Sequence, residues 1–283
     1  MKILGSFLKN IIQHTVFIRY FLDYIERRCN INSRMENDLY HEGWSFIIIT
    51  DGKSKEMLNF TIKSILDEFG EDRYEIIVIG QNRDYPQLNN KIKYISYYSL
   101  PFLADWITIK KNIGAKAAIY NKLVIMHDYV SLNRGWKVGF EEFGRDFDIC
   151  MNRITLKNGN RTRDWLVYDY PNIGPALLPY KIQCKKYQYI SGTYFVVKKD
   201  FFINNLLDEK LRWGEGEDVE WSKRVREKAN IVFNNNSCVS FLKDKSPNDA
   251  PYCDNWIENT IKLYGMYSID INKENYVEDI AKY

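Results

Sequence analysis

The chain has 283 residues, enough for one large domain or two small ones, and its 45% hydrophobic and 27% charged residues are those of an ordinary soluble globular protein. A net charge of +3 with no Lys/Arg block gives no case for nucleic-acid binding. Five scattered cysteines without a Cys-x-x-Cys pair, and only three histidines, argue against a zinc ribbon, a disulfide framework and a His-rich metal site, and a reducing cytoplasm is the simplest home for such a chain.

Residues 1–29 place Leu4, Phe7, Leu8, Ile11, Ile12, Val16, Phe17, Tyr20, Phe21 and Ile25 among Lys2, Lys9, Arg19, Arg27 and Arg28. That spacing predicts a basic amphipathic helix. Its longest uncharged run, Asn10 to Ile18, is far short of the ~20 residues that span a bilayer. The apolar face fits a membrane surface, the main domain or a second copy of the chain equally well. Residues 30–43 read as a linker, 44–130 and 131–250 as the two halves of one α/β domain, and 251–283 as a helical extension.

From Ser45 to Thr50 an apolar run predicts a buried parallel strand. Asp51-Gly52-Lys53-Ser54 turns the chain into a helix with Leu58, Ile62, Ile65, Leu66 and Phe69 on one face. Strands follow at Glu75–Gly80 and Lys91–Ser96, then a helix over Phe102–Tyr120 and a strand over Leu123–Met126. This alternation predicts a mostly parallel sheet with helices on both faces and ligands at the carboxyl ends of its strands. Further strands are expected at Asp148–Asn152 and Tyr189–Val197, and helices at Lys199–Leu207 and Glu217–Lys228. No Gly-x-Gly-x-x-Gly or Gly-Lys-Ser/Thr loop supports a dinucleotide or P-loop site.

Several positions carry chemistry. Asp128, just past a strand end, lies where phosphates or their metal would be held, although a polar strand end also serves structure alone. Lys110 and Lys111 could meet phosphate. Arg163 beside Trp165 suits a sugar or phosphate-bearing acceptor, and equally a surface hairpin with a solvated charge pair. Gly192 and Thr193 open space beside a strand. In Trp213-Gly214-Glu215-Gly216-Glu217-Asp218-Val219-Glu220-Trp221, two adjacent acids begin a helix, and Asp218 shares a face with Trp221 and Val225. An ionised carboxylate beside a glycine loop can act as a general base; capping of the helix by acids is the plainer explanation.

The order of these motifs resembles the GT-A glycosyltransferases, close to family 2. Trp213 to Asp218 is also similar to the Trp-Gly-x-x-Glu-Asp segment of the β-1,4-galactosyltransferases, and the likeness spans about residues 44–245. It implies a GT-A fold with a Rossmann-like sheet. Thr50, Asp51, Gly80 and Gln81 would line the nucleoside, with Lys111, Asn112 and Gly114 near ribose or diphosphate. His127-Asp128-Tyr129 stands for the Asp-x-Asp element, and Gly192 and Thr193 would border the donor sugar. Asp218, with Glu217, would serve as the base of an inverting transfer, and Trp213 and Gly216 would meet the acceptor beside Arg163 and Trp165.

A divalent cation, Mn²⁺ or Mg²⁺, would sit on Asp128 and Asp244. The chain departs from the family pattern here, because Tyr129 replaces the second acid and a neutral phenol is a poor ligand for either ion, so either Asp128 holds the ion alone or the site works without metal and lysines meet the phosphate. The activity implied is transfer from a nucleotide sugar, of which UDP is the expected carrier, to a glycan or lipid-linked acceptor in surface polysaccharide synthesis. The location implied is the cytoplasm or the inner membrane face. A nucleotide-sugar-binding scaffold without activity and a sugar nucleotidyltransferase are the alternatives.

Overall fold

A computed structural model describes residues 41–80, 90–97, 106–211, 214–243 and 255–269, all within the compact unit that begins at His41. The amphipathic segment 1–29, Gln81, Trp213 and Asp244 lie outside the described residues. In chain order the elements are β1 (His41–Ile49), α1 (Lys55–Phe69), β2 (Tyr74–Gly80), β3 (Ile92–Ser96), α2 (Ile107–Ala117), β4 (Tyr120–His127), β5 (Val130–Leu132), α3 (Trp136–Phe143), β6 (Ile149–Thr155), β7 (Leu166–Tyr170), β8 (Gly174–Leu177), β9 (Gln188–Tyr189), β10 (Tyr194–Lys198), α4 (Lys199–Ile203), α5 (Glu217–Val225), β11 (Ile231–Phe241) and α6 (Trp256–Met266).

Eight strands form one sheet in the order β3-β2-β1-β4-β10-β6-β11-β5, and β8-β7-β9 form a small second sheet. The β3-β2-β1-β4 half is parallel, as the alternation of strands and helices requires. Phe46 to Ile49 and Leu123 to Met126 are almost wholly buried, which is why their sequences are apolar without alternation. Neighbouring residues of β1 point to opposite faces. Phe46 packs against Phe69 of α1 and Trp136 of α3, with ring centroids 5.0 and 5.9 Å away. Ile47 lies against α2 at Gly114, where a Cβ would run into Ile47 and Ile79. Helices therefore cover both faces.

Three departures from the sequence pattern bear on the site. First, the strand expected over 189–197 is broken: β9 ends at Tyr189 and β10 begins at Tyr194. Between them the Gly192 amide and carbonyl bond to side chains rather than to a neighbouring strand. Second, β10 enters the sheet antiparallel to both β4 and β6, which a run of strands and helices does not reveal. Third, the helix expected to reach Leu207 stops at Ile203, because side chains bind the backbone beyond it. Trp221 donates its indole N–H to the Asn205 carbonyl, and Asn112 holds both the N–H and the carbonyl of Leu207.

Candidate active site

The carboxyl ends of β1, β2 and β4 meet at Thr50. The Thr50 N–H donates to the Ile79 carbonyl and the Asp128 N–H to the Ile49 carbonyl, so three strand ends are tied by backbone alone. Thr50 Oγ1 then donates to Asp128 Oδ2 at 2.5 Å and accepts the Gly52 N–H at 3.0 Å. Gly80 has no room for a side chain, since a Cβ there would strike the Thr50 carbonyl. Lys110, buried on α2, donates Nζ to that carbonyl at 2.8 Å. Asp51 is exposed and pairs with Lys53 at 3.0 Å. Burial works against its ionisation, but hydrogen bonds and charge from Lys53 override it and hold Asp51 below the usual carboxylate range.

A second cluster surrounds the break between β9 and β10. Gly214 and Gly216 take the left-handed conformation, φ 84 and φ 74, which lets the chain turn sharply into α5. Asp218 Oδ2 accepts the Gly192 N–H at 2.9 Å, and Oδ1 accepts the Val219 N–H at 2.9 Å. At the carbonyl of the same glycine, Lys111 Nζ donates to Gly192 O at 2.8 Å and pairs with Glu217 Oε1 at 3.2 Å. One glycine is thus held between a cation from α2 and two acids from α5. Burial, and then the charge of Glu217, raise the Asp218 carboxyl above its ordinary range. Asp218 itself remains partly exposed, whereas Glu217 is 7% exposed.

The clusters touch through Thr193 and Tyr129. The His127 N–H donates to the Thr193 carbonyl at 3.0 Å, and the Thr193 side chain shares a hydrogen bond with the Tyr129 phenol. Thr50, Asp128, Lys110 and Lys111 are thereby continuous with Gly192, Glu217 and Asp218, on one side of the sheet's strand ends. A methyl at Gly192 would sit 2.8 Å from Glu217 Oε1 and 3.0 Å from Asp218 Cβ. Gly192→Ala is expected to cost about 1–3 kcal/mol by overpacking and to lower activity, measured by thermal unfolding and turnover on the same sample.

Other residues of the expected set have different roles. Asn112 is buried, and besides Leu207 it donates to Glu209 Oε1 at 3.1 Å, so it braces the segment after α4 rather than a ribose. Gly114 serves the packing of α2 on β1 and β2. Trp165 is 1% exposed, donates Nε1 to the Ile182 carbonyl and packs on Phe233, which removes it from any acceptor. Lys111, expected near ribose or diphosphate, donates to the Gly192 carbonyl and pairs with Glu217. The segment that a solvated hairpin would expose instead carries a fully buried ion pair, Arg161–Asp164.

For a divalent cation the described residues do not fit. No group of three or more His, Cys, Asp or Glu is arranged for one among them. Burial raises the Asp128 carboxyl, Thr50 already occupies one of its oxygens, and burial pushes the Tyr129 phenol up to about 12. Lys243 is the residue near this strand end that no sequence pattern singles out. Its place follows from strand register: Phe241 of β11 pairs with Val130 of β5, and the Leu242 N–H donates to the Tyr129 carbonyl.

The sequence matches no family model and no curated protein. The fold does match solved structures. A crystal structure of GalNAc-T7 with UDP, GalNAc and Mn²⁺ superposes with TM-score 0.55 at 16% identity, covering 81% of this chain and 51% of that one. A crystal structure of S. aureus TarS gives TM-score 0.51 at 15% identity, covering 73% and 37%. The fold is therefore that of the GT-A glycosyltransferases. The chain spans about half the length of the first of these structures and less of the second. No described helix is long and apolar enough to cross a membrane.

Proposed function

We propose that this chain is a glycosyltransferase that moves a sugar from a nucleotide-sugar donor, with UDP the favoured carrier, to a hydroxyl of a glycan or lipid-linked acceptor. The observation that carries the reading is the clamp on Gly192, which holds Asp218 and Glu217 beside the strand ends where Thr50 and Asp128 meet. The UDP and Mn²⁺ in the GalNAc-T7 crystal favour a nucleotide sugar as the class of donor.

In the reaction proposed, Asp218 takes the proton of the acceptor hydroxyl as that oxygen attacks the anomeric carbon. Its oxygens are oriented by the Gly192 and Val219 N–H groups, so the carboxylate is held in place before the acceptor arrives. Thr50, Asp51, Gly80, His127, Asp128, Gly192 and Thr193 form the donor side, and Gly216 borders the acceptor. With one base and no separate nucleophile, inversion is the outcome expected.

The test is nucleotide release from UDP-, GDP- and dTDP-sugars in Mn²⁺, Mg²⁺ or EDTA. Slow hydrolysis of one donor by the wild type, lost in Asp218→Asn with donor binding retained, is the expected result. Donors that bind but never turn over with sugar acceptors present would leave a scaffold. Pyrophosphate release from a nucleoside triphosphate would make the chain a nucleotidyltransferase.

A further inference from the structure

Among the described residues the Asp128–Tyr129 strand end has no metal-binding donor set, yet it is not without positive charge. Lys243, carried there by the β11–β5 register, puts Nζ 3.8 Å from the centroid of the Tyr129 ring. Its charge also acts on Asp128, drawing that carboxyl down against the effect of burial. A second cation arrives from the loop after β6. Arg163 is held at φ 43, a left-handed backbone conformation that L-residues adopt at a cost. Its charge falls on Tyr129, the ring that Lys243 overlies. Arg163 Nη2 is buried and has no hydrogen-bond partner among the described residues.

A buried guanidinium N–H with no acceptor is unfavourable, and so is the backbone conformation that brings it there. Both are explained if an oxygen-rich anion completes the site. A planar guanidinium and an ammonium together offer the donors that a phosphate group accepts. The Tyr129 phenol stands beside these cations, and its ring face already attracts Lys243.

Resting on the glycosyltransferase reading above, we infer that Lys243 and Arg163 bind the diphosphate of the donor and meet the charge of the leaving group, in the role a divalent cation would otherwise have. As the acceptor oxygen bonds to the anomeric carbon, the bond from that carbon to the β-phosphate oxygen breaks. Its electron pair stays on the phosphate, where the two cations stabilise it, and the acceptor proton passes to Asp218. Tyr129 is then the residue that suits this arrangement, because an acid in its place would compete with the phosphate for both cations.

Calorimetric titration of the full chain with UDP, GDP and dTDP, in EDTA and then in Mn²⁺, tests the inference. One of these nucleotides is expected to bind with affinities within about twofold in the two buffers. Lys243→Ala should weaken that binding by about 10- to 100-fold, as loss of a charge-assisted contact does. Arg163→Gly should weaken it comparably without lowering the thermal midpoint, because glycine takes φ 43 freely. Tyr129→Asp should make binding depend on Mn²⁺. Wild-type binding that requires Mn²⁺ and ignores Lys243→Ala and Arg163→Gly would overturn this inference while leaving a nucleotide-binding glycosyltransferase. If no nucleotide or nucleotide sugar binds in either buffer, the functional reading fails and takes this inference with it.

Discussion

Asp218→Asn is expected to lower transfer by about 10²- to 10⁴-fold while donor affinity stays near wild type, because the substitution removes the proton acceptor and almost nothing of the shape. Asp218 Oδ2 accepts the Gly192 N–H and Oδ1 the Val219 N–H, both at 2.9 Å. Asparagine keeps one of these two acceptors, so the midpoint of unfolding should move by only a few degrees. Glu217→Gln makes the necessary contrast. Its carboxylate faces Lys111, which is buried and among the described residues otherwise meets the Gly192 carbonyl, so neutralising Glu217 should reduce both stability and turnover. A catalytic loss confined to Asp218→Asn is the signature of a base. Equal losses in the two variants would mean that the acids serve only to hold the loop.

The pH dependence separates the same possibilities. Burial and the Glu217 charge raise the folded-state pKa of Asp218, so between the ordinary Asp range and that raised value the carboxyl is protonated in the folded protein. A base must be ionised. Transfer should therefore rise with pH through the raised value and level off above it, and be lost on acidification sooner than for an ordinary Asp. The stability term has the opposite sign: a raised carboxyl pKa contributes stability below the unfolded-state value, which is lost as pH rises through the folded one. Asp218→Asn lacks this loss. Initial rates and unfolding midpoints across pH check the two signs together, and a pH-independent wild-type rate would remove Asp218 from the chemistry.

Which of these features could be read from the chain depends on how local their causes are. Ser45 to Thr50 and Glu75 to Gly80 announce buried parallel strands because burial on both faces demands unbroken apolar runs. The Gly-Glu-Gly-Glu-Asp start of α5 is equally local, since left-handed glycines and first-turn acids are properties of that segment alone. Asn112 and Trp165 misled for the converse reason. A polar residue among lysines, or a Trp beside an Arg, looks the same whether its partner is a ligand or a distant part of the chain. Here the partners are Leu207 and Glu209 for Asn112, and Ile182 and Phe233 for Trp165. Lys243 was illegible because its approach to Tyr129 is set by pairing between β11 and β5, more than 100 residues apart in the chain. Arg161 and Asp164, three residues apart with turn residues before them, gave no sign of being buried.

That buried pair supports the second large effect. Removing the charge of Asp164 alone is expected to destabilise the protein by about 3–5 kcal/mol, a large part of a typical domain's stability. Arg161 Nε donates to Asp164 Oδ1 at 2.6 Å, Nη1 to the Tyr264 hydroxyl at 2.8 Å and Nη2 to the Leu178 carbonyl at 2.7 Å. Its guanidinium lies 3.9 Å from the centroid of the Tyr180 ring, which stacks on Phe233. Asp164 in turn accepts the Tyr180 hydroxyl and the Trp165 N–H. Burial opposes the charge on Arg161, and Asp164 together with Tyr180 and Tyr264 more than offsets it. Asp164→Leu therefore leaves a buried guanidinium without its anion and frees three further donors, the Tyr180 hydroxyl and the Trp165 and Ile154 N–H groups, whereas Arg161→Met leaves a buried carboxylate that keeps those three. The first should be the more damaging. The double variant should recover part of the loss, because an apolar pair of similar volume needs neither partner. Unfolding midpoints for the three variants, with falls of about 6–20 °C expected for the worst single change, decide the point. Additive losses in the double variant would mean that the two residues stabilise the loop separately and that the ion pair adds nothing of its own.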